Sequence, residues 1–154
     1  MASVAIVGEA FDPAAEAATL ATGGSVGAVV NFTGYCRDEG GRLAALELEH
    51  YPGMAEDEIG RIAAEAERRW PLAGVRVVHR HGLVRPGEAI VLVATASAHR
   101  GAAFAAAEFL MDYLKTRAPF WKREHPVGGE PGGWVAATDA DDGAAARWDD
   151  PAPG

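Results

Sequence analysis

The stretch Val75-Arg76-Val77-Val78-His79-Arg80-His81-Gly82-Leu83-Val84-Arg85-Pro86-Gly87-Glu88-Ala89-Ile90-Val91-Leu92-Val93-Ala94-Thr95-Ala96-Ser97 holds two β-rich runs. They are Val75–Val84 and Ala89–Ser97, separated by Arg85-Pro86-Gly87-Glu88. Proline presets a turn dihedral and glycine tolerates a left-handed one, so this spacing predicts a hairpin. Ala89–Ser97 is almost wholly apolar, which predicts a central strand buried on both faces. Working toward the N-terminus, Pro52 and Pro71 bracket a helix in which Ile59, Ile62, Ala63, Ala66 and Trp70 form a stripe of 3.6-residue period. Its other face, with Glu56, Asp57, Arg61, Glu65 and Arg68, is solvated. Before it, Val26–Arg37 and Leu43–Tyr51 flank Asp38-Glu39-Gly40-Gly41, a second hairpin signal. Ser3–Gly8 reads as a short strand, and Asp12-Pro13 opens an Ala-rich helix as N-cap and first helical residue.

Working toward the C-terminus, a third helix is predicted from about Ala98 to Thr116, stopped by Ala118-Pro119. Phe120–His125 alternates, and Gly133–Thr138 has the look of a last short strand. Hairpins mixed with helices predict an α+β domain, antiparallel hairpins packed on three helices, and not a doubly wound sheet. The expected domain covers residues 1–138. Residues 139–154 carry Asp139, Asp141, Asp142, Asp149 and Asp150 against Arg147 and are expected to form an acidic, flexible tail. No internal repeat is present.

Composition narrows the function. With 154 residues and 16.1 kDa the chain has room for one real core. Its 14 Lys and Arg against 22 Asp and Glu give a net charge of −8, which argues against nucleic acid or an acidic membrane as partner. The longest apolar run is strand-sized, and the N-terminus meets Glu9 and Asp12 early, so neither a membrane span nor a signal peptide is expected. Cys36 is the single cysteine, so neither an intrachain disulfide nor a zinc cluster is expected, and the cytoplasm is the expected compartment.

Within this acidic chain, the span from His99 to Glu124 is locally basic, with Arg100, Lys115, Arg117, Lys122 and Arg123 against Glu108, Asp112 and Glu124. A mixed, solvated surface would account for that count. His99 and Arg100 stand in the first turn of the third helix, after Ser97 as the expected N-cap. Cations there oppose the helix dipole, and a bound anion would compensate them; side chains reaching back to solvent are the competing reading. Lys115 continues the row Phe104–Ala107–Met111 at the edge of the buried face. A partly buried lysine beside other cations is the setting in which the amine serves as base or nucleophile. A lysine favoured by the helix C-terminus, its stem along apolar surface, is the blander alternative, and position alone favours it. His79 and His81 share a strand face but lack a third metal ligand of convincing spacing, so core or edge histidines are the better reading. Cys36 beside Arg37 could be a reactive thiolate, although a small semi-buried strand residue fits better. Gly23-Gly24 matches no phosphate loop, and no Ser–His–Asp arrangement is indicated.

Three segments go further: Leu48-Glu49-His50-Tyr51-Pro52-Gly53-Met54, Ser97-Ala98-His99-Arg100, and Met111-Asp112-Tyr113-Leu114-Lys115-Thr116-Arg117-Ala118-Pro119-Phe120-Trp121-Lys122-Arg123-Glu124. In these the chain resembles the catalytic (large) subunit family of molybdopterin synthase, in order from about Gly27 to Trp134. The resemblance implies an α/β-hammerhead type of fold. It also implies a sulfurtransferase of molybdenum cofactor biosynthesis acting on cyclic pyranopterin monophosphate (precursor Z). Sulfur would arrive as a thiocarboxylate on the C-terminal Gly-Gly of a ubiquitin-like small subunit, two donors serving each dithiolene. A large-subunit homodimer flanked by two small subunits, a heterotetramer, follows from the same resemblance, and no metal or other cofactor is implied.

Carried over by position, Lys115 matches the family's essential lysine and Lys122 its second active-site lysine. Arg37, His99 and Arg100 match substrate-anion contacts, Arg123 and Glu124 complete the segment around Lys122, and Tyr35 and Cys36 stand next to Arg37 in the substrate pocket. Tyr35-Cys36 departs from the family, which more often has a basic and an aliphatic residue there. Two other classes compete. A non-catalytic phosphate- or anion-binding module would use Arg37, His99 and Arg100 but not Lys115, and a metal-dependent hydrolase would need His79 and His81.

Overall fold

The computed structural model describes residues 2–38, 40–135, 143, 145, 146, 148 and 149. Strand β1 (Ala2–Val7) leads into helix α1 (Pro13–Ala18), whose N-cap Asp12 accepts hydrogen bonds from the amides of Ala14 and Ala15. Then follow β2 (Ala28–Tyr35), β3 (Leu43–His50), α2 (Met54–Arg69), β4 (Leu72–Arg80), β5 (Gly82–Val84), β6 (Ala89–Ser97), α3 (Arg100–Thr116) and β7 (Phe120–Pro126).

Two sheets result, with strand orders β1-β4-β6-β2 and β5-β3-β7. In the larger sheet β1 runs parallel to β4, and the remaining pairs are antiparallel. The apolar β6 lies between β4 and β2, as its composition predicts. One face presents Val75, Val77, Val91 and Val93 to Ile59, Ile62, Ala63 and Ala66 of α2 and to Phe109, Leu110 and Leu114 of α3. The opposite face presents Val78, Leu92 and Ala94 to Ala17 of α1. The stripe read from the sequence of α2 is therefore its buried face, and the charged side pairs within itself, Glu58 with Arg61 and Glu65 with Arg68.

Three local expectations are corrected. β2 and β3 are not a hairpin: β2 pairs with β6, while β3 pairs with β5 and β7 in the other sheet. The turn-rich linker after Arg37 passes the chain from one sheet to the other. Val75–Val84 is likewise not one strand. Gly82 has φ +83°, a left-handed conformation that glycine adopts without penalty, and there the chain leaves the large sheet to pair Leu83 with Glu47. The hairpin partner of β6 is thus β4, with β5 inserted in the connection. Finally, α3 is capped by His99 and not by Ser97; the Ser97 hydroxyl donates to the Pro71 carbonyl and accepts the His99 amide at 3.5 Å.

The strand expected over Gly133–Thr138 appears as a single bridge, Val135 with Lys122, and 136–138 lie outside the described residues. Of the tail expected to be flexible, Ala145 is buried and Trp148 packs against Trp70 and Phe109. The Trp148 indole donates to Asp112 at 2.6 Å, and Arg69 donates to the Trp148 carbonyl at 2.8 Å. Aromatic surface and these two polar contacts hold that part of the tail on α2 and α3. Among the described residues no helix is long and apolar enough to cross a membrane.

Candidate active site

Where the two sheets diverge, a small cleft of about 170 Å³ opens. Phe32, Gly34 and Tyr35 of β2, Leu46 and Leu48 of β3, and His79 of β4 line it together with Ile90 and Val91. Met111, Leu114 and Lys115 from the last turns of α3, and Phe120, Trp121 and Lys122 from β7, complete the wall. Apolar groups thus surround two amines that arrive from different elements. The geometry has a simple origin. The cleft-facing row of β4 runs Val75, Val77, His79, and His79 is the first member beyond the packed core. The three residues after Thr116 then reverse the chain, so that β7 brings Lys122 back to the same opening opposite Leu48.

The alternation of β7 separates Lys122 from its neighbour. Arg123 points away from the cleft: its Nε donates to Glu47 at 3.0 Å, and its guanidinium lies 4.5 Å from the Trp134 ring centre. Glu47 is also hydrogen-bonded to His125 at 2.8 Å. The bond from His125, followed by that from Arg123, holds the Glu47 carboxyl below its ordinary value. Glu124 is exposed and does not line the cleft.

His79 stacks on Phe120 with ring centres 3.9 Å apart, and Phe120 lies against His50 on its other side, at 5.9 Å. Burial, opposed by the bond from Nδ1 to the Arg80 carbonyl and reinforced by the charge of Lys115, lowers the His79 pKa to about 4. His50 is lowered as well, by burial first and then by His81, whose ring is 4.7 Å away.

The family model of the MoaE protein matches residues 6–117. The chain belongs to the MoaE family. The molybdopterin synthase catalytic subunit of Mesorhizobium japonicum is 67% identical to it over 147 residues, covering 95% of this chain and 92% of that relative. The MoaE protein of molybdopterin biosynthesis from Burkholderia ambifaria superposes with a TM-score of 0.82 at 52% identity, over 96% of this chain and 98% of the other. Molybdopterin synthase from Staphylococcus aureus gives 0.75 at 33% identity, covering 83% and 95%. Relatives of this closeness carry a catalytic name, so the reading as a non-catalytic anion-binding module is set aside.

Of the residues the sequence singled out, the MoaE fold gathers Tyr35, Lys115 and Lys122 around the cleft. Lys115 is exposed there and not partly buried, because it stands in the last turn of α3, beyond the covered Ala107 and Met111 of its row. Arg37 is exposed beyond the end of β2 and does not line the cleft. Cys36 is buried with Leu48 and Val84 behind the cleft wall, and burial raises its thiol pKa, the opposite of a reactive thiolate. His99 and Arg100 are exposed at the far end of α3, which runs unbroken from Arg100 to Thr116. At 1.5 Å per residue that end lies roughly 22 Å from Lys115. Position along the sequence did flag His79, as a weak metal-ligand candidate; its place in the cleft needed the register of β4. Among the described residues no group of three or more His, Cys, Asp or Glu side chains could hold a metal ion.

Proposed function

We propose that this cleft is where sulfur is transferred to a small phosphorylated pterin, with Lys115 and Lys122 as its catalytic residues. At the level of the reaction, family membership and close relatives carry the assignment: the chain works as the catalytic subunit of a molybdopterin synthase in molybdenum cofactor biosynthesis. The observation that carries the local reading is the convergence of Lys115 and Lys122 on one apolar-walled opening. Fixed cations in such a place stabilise charge that develops as the cyclic phosphate of precursor Z opens. Lys115, at the helix end, moves protons at the carbon that receives sulfur; Lys122 stabilises phosphate and the incoming thiocarboxylate.

The sulfur donor is the C-terminal Gly-Gly thiocarboxylate of a ubiquitin-like small subunit, whose extended end fits a cleft open at the surface. Sulfur comes already activated, so the chain needs no cofactor of its own. A lone buried thiol is in keeping with a reducing compartment, the cytoplasm.

His99, Arg100 and Arg37 serve the substrate anion, and symmetry supplies what one chain lacks. No acidic residue occupies the first turn of α3, so the cations there lie uncompensated by their own helix. Phe104, one turn along, is 61% exposed, and edge strand β2 exposes Val29, Phe32 and Tyr35 beside the cleft. An apolar surface running from the helix N-terminus to the cleft suits a second copy of the chain. In the resulting homodimer, flanked by two small subunits, His99 and Arg100 of one copy complete the cleft of the other. Arg123 and Glu124 shape the strand that carries Lys122. The direct experiment combines the purified chain, precursor Z and thiocarboxylated small subunit and follows dithiolene formation. Product is expected with the native chain; Lys115→Ala should form none while retaining its fold and its binding of the small subunit.

A further inference from the structure

His79 is a polar side chain of the cleft that the reaction just described leaves unused. His79 lies across from Val91 on the adjacent strand, its ring clamped against Phe120 at 3.9 Å and an interplanar angle of 17°. Nδ1 is 2.8 Å from the Arg80 carbonyl oxygen. A carbonyl only accepts, so the proton sits on Nδ1 and Nε2 carries a bare lone pair. No described residue donates to that nitrogen. The groups facing the imidazole are Lys115 from α3 and, past Phe120, His50 from β3 with His81 behind it. Burial and these neighbours keep the ring neutral across the range in which the protein would work. His79 is therefore a rigid, uncharged acceptor in a cleft whose charged groups, Lys115 and Lys122, are donors. Lys115 itself is exposed and makes no hydrogen bond or ion pair with another described residue, so its four-carbon stem is otherwise unrestrained.

We propose that His79 is the positioning residue for Lys115: in the loaded cleft its Nε2 accepts a hydrogen bond from the Lys115 ammonium and fixes Nζ at the reacting carbon. The inference rests on the role given to Lys115 above. Holding a reacting group in place is the kind of contribution that a displacement of about 1 Å can reduce 100-fold.

Two substitutions separate this role from packing. His79→Asn keeps an N–H near the position of Nδ1 and removes the acceptor, whereas His79→Gln returns a polar atom near the position of Nε2. Saturation kinetics of dithiolene formation should show kcat of His79→Asn reduced roughly 10- to 100-fold with KM within about twofold. His79→Gln should recover most of the loss. Wild-type kcat in His79→Asn, a Gln variant no better than the Asn variant, or a raised KM at unchanged kcat would each overturn the proposal. A second measurement needs neither variant to fold and no turnover. In 15N-histidine-labelled native protein, precursor Z should move the Nε2 resonance toward that of a hydrogen-bonded acceptor, and the movement should vanish in Lys115→Ala. An unmoved resonance, or the same movement in Lys115→Ala, overturns it. Native protein that forms no dithiolene would count against the reaction assignment, and the labelled nitrogen would still decide the contact.

Discussion

Lys115 and Lys122 reach the cleft by different means, one on the last turn of a helix and one on a strand. If Lys115 moves the proton, as proposed above, kcat for Lys115→Ala should fall at least 100-fold, the order expected for a general acid–base. Lys122→Ala should lose less, because a distributed cationic site partly covers for one member. Steady-state turnover of the two variants checks the order. Cys36→Ser should leave turnover within a few fold, since the transferred sulfur arrives on the partner and the thiol is sealed behind the wall. Loss of product with retained small-subunit binding would make Cys36 a sulfur relay. Glu47 titrates below its ordinary value, so its contribution to stability is complete above about pH 4.5 and is lost as pH falls through the depressed value. Glu47→Gln should cost about 1 kcal/mol at pH 7, and less as the pH is lowered below 4.5, in denaturant melts across that range. An equal cost at every pH would assign the effect to packing.

At the scale of elements, what the sequence revealed depended on whether the signal was local. Periodicity located α2 and marked its buried stripe, and unbroken apolar character placed β6 in the middle of its sheet, because burial on two faces admits nothing else. Asp38–Gly41 and Arg85–Glu88 look alike as turn chemistry, yet neither joins strands that are both adjacent in sequence and paired in space. A turn signal says that the chain bends, not which strand it pairs with afterwards. Lys115 and Lys122 were singled out by the resemblance, since position alone favoured the blander reading of Lys115; the place of His79 in the cleft depends on where the β4 row leaves the core. Two further elements carry expectations. A Cβ on Gly27 would fall 2.1 Å from the Ala98 carbonyl oxygen, a backbone collision at the step that leads β6 into His99 and α3. Gly27→Ala should therefore lower the melting temperature, and, if Arg100 serves the substrate anion as proposed, weaken substrate binding with it. Trp148→Ala, which strips Trp70, Phe109 and Asp112 of a shared partner, should cost about 3 kcal/mol in chemical denaturation. A loss under 0.5 kcal/mol would mean the tail contact adds nothing in solution.

At the scale of the whole molecule, the length of α3 sets the test of a shared site. Lys115→Ala and Arg100→Ala should each be inactive alone. Mixed in equal amounts with subunit exchange, half the dimers pair one of each, and each such dimer regains one intact cleft of two. About a quarter of native activity should return. Verified exchange with no recovery would place every contributing residue within one chain.

The cleft's two amines also ride on separate sheets, Lys115 through the helix seated on the larger and Lys122 on the edge of the smaller. Between those sheets lies the small cluster of Cys36, Leu48 and Val84, backed by Ile90. The span of the jaws is thus governed at the rivet. A methyl group lost from Val84 touches neither amine, yet it should alter the angle at which they oppose each other. Such a variant would keep every catalytic side chain and grip its substrate badly.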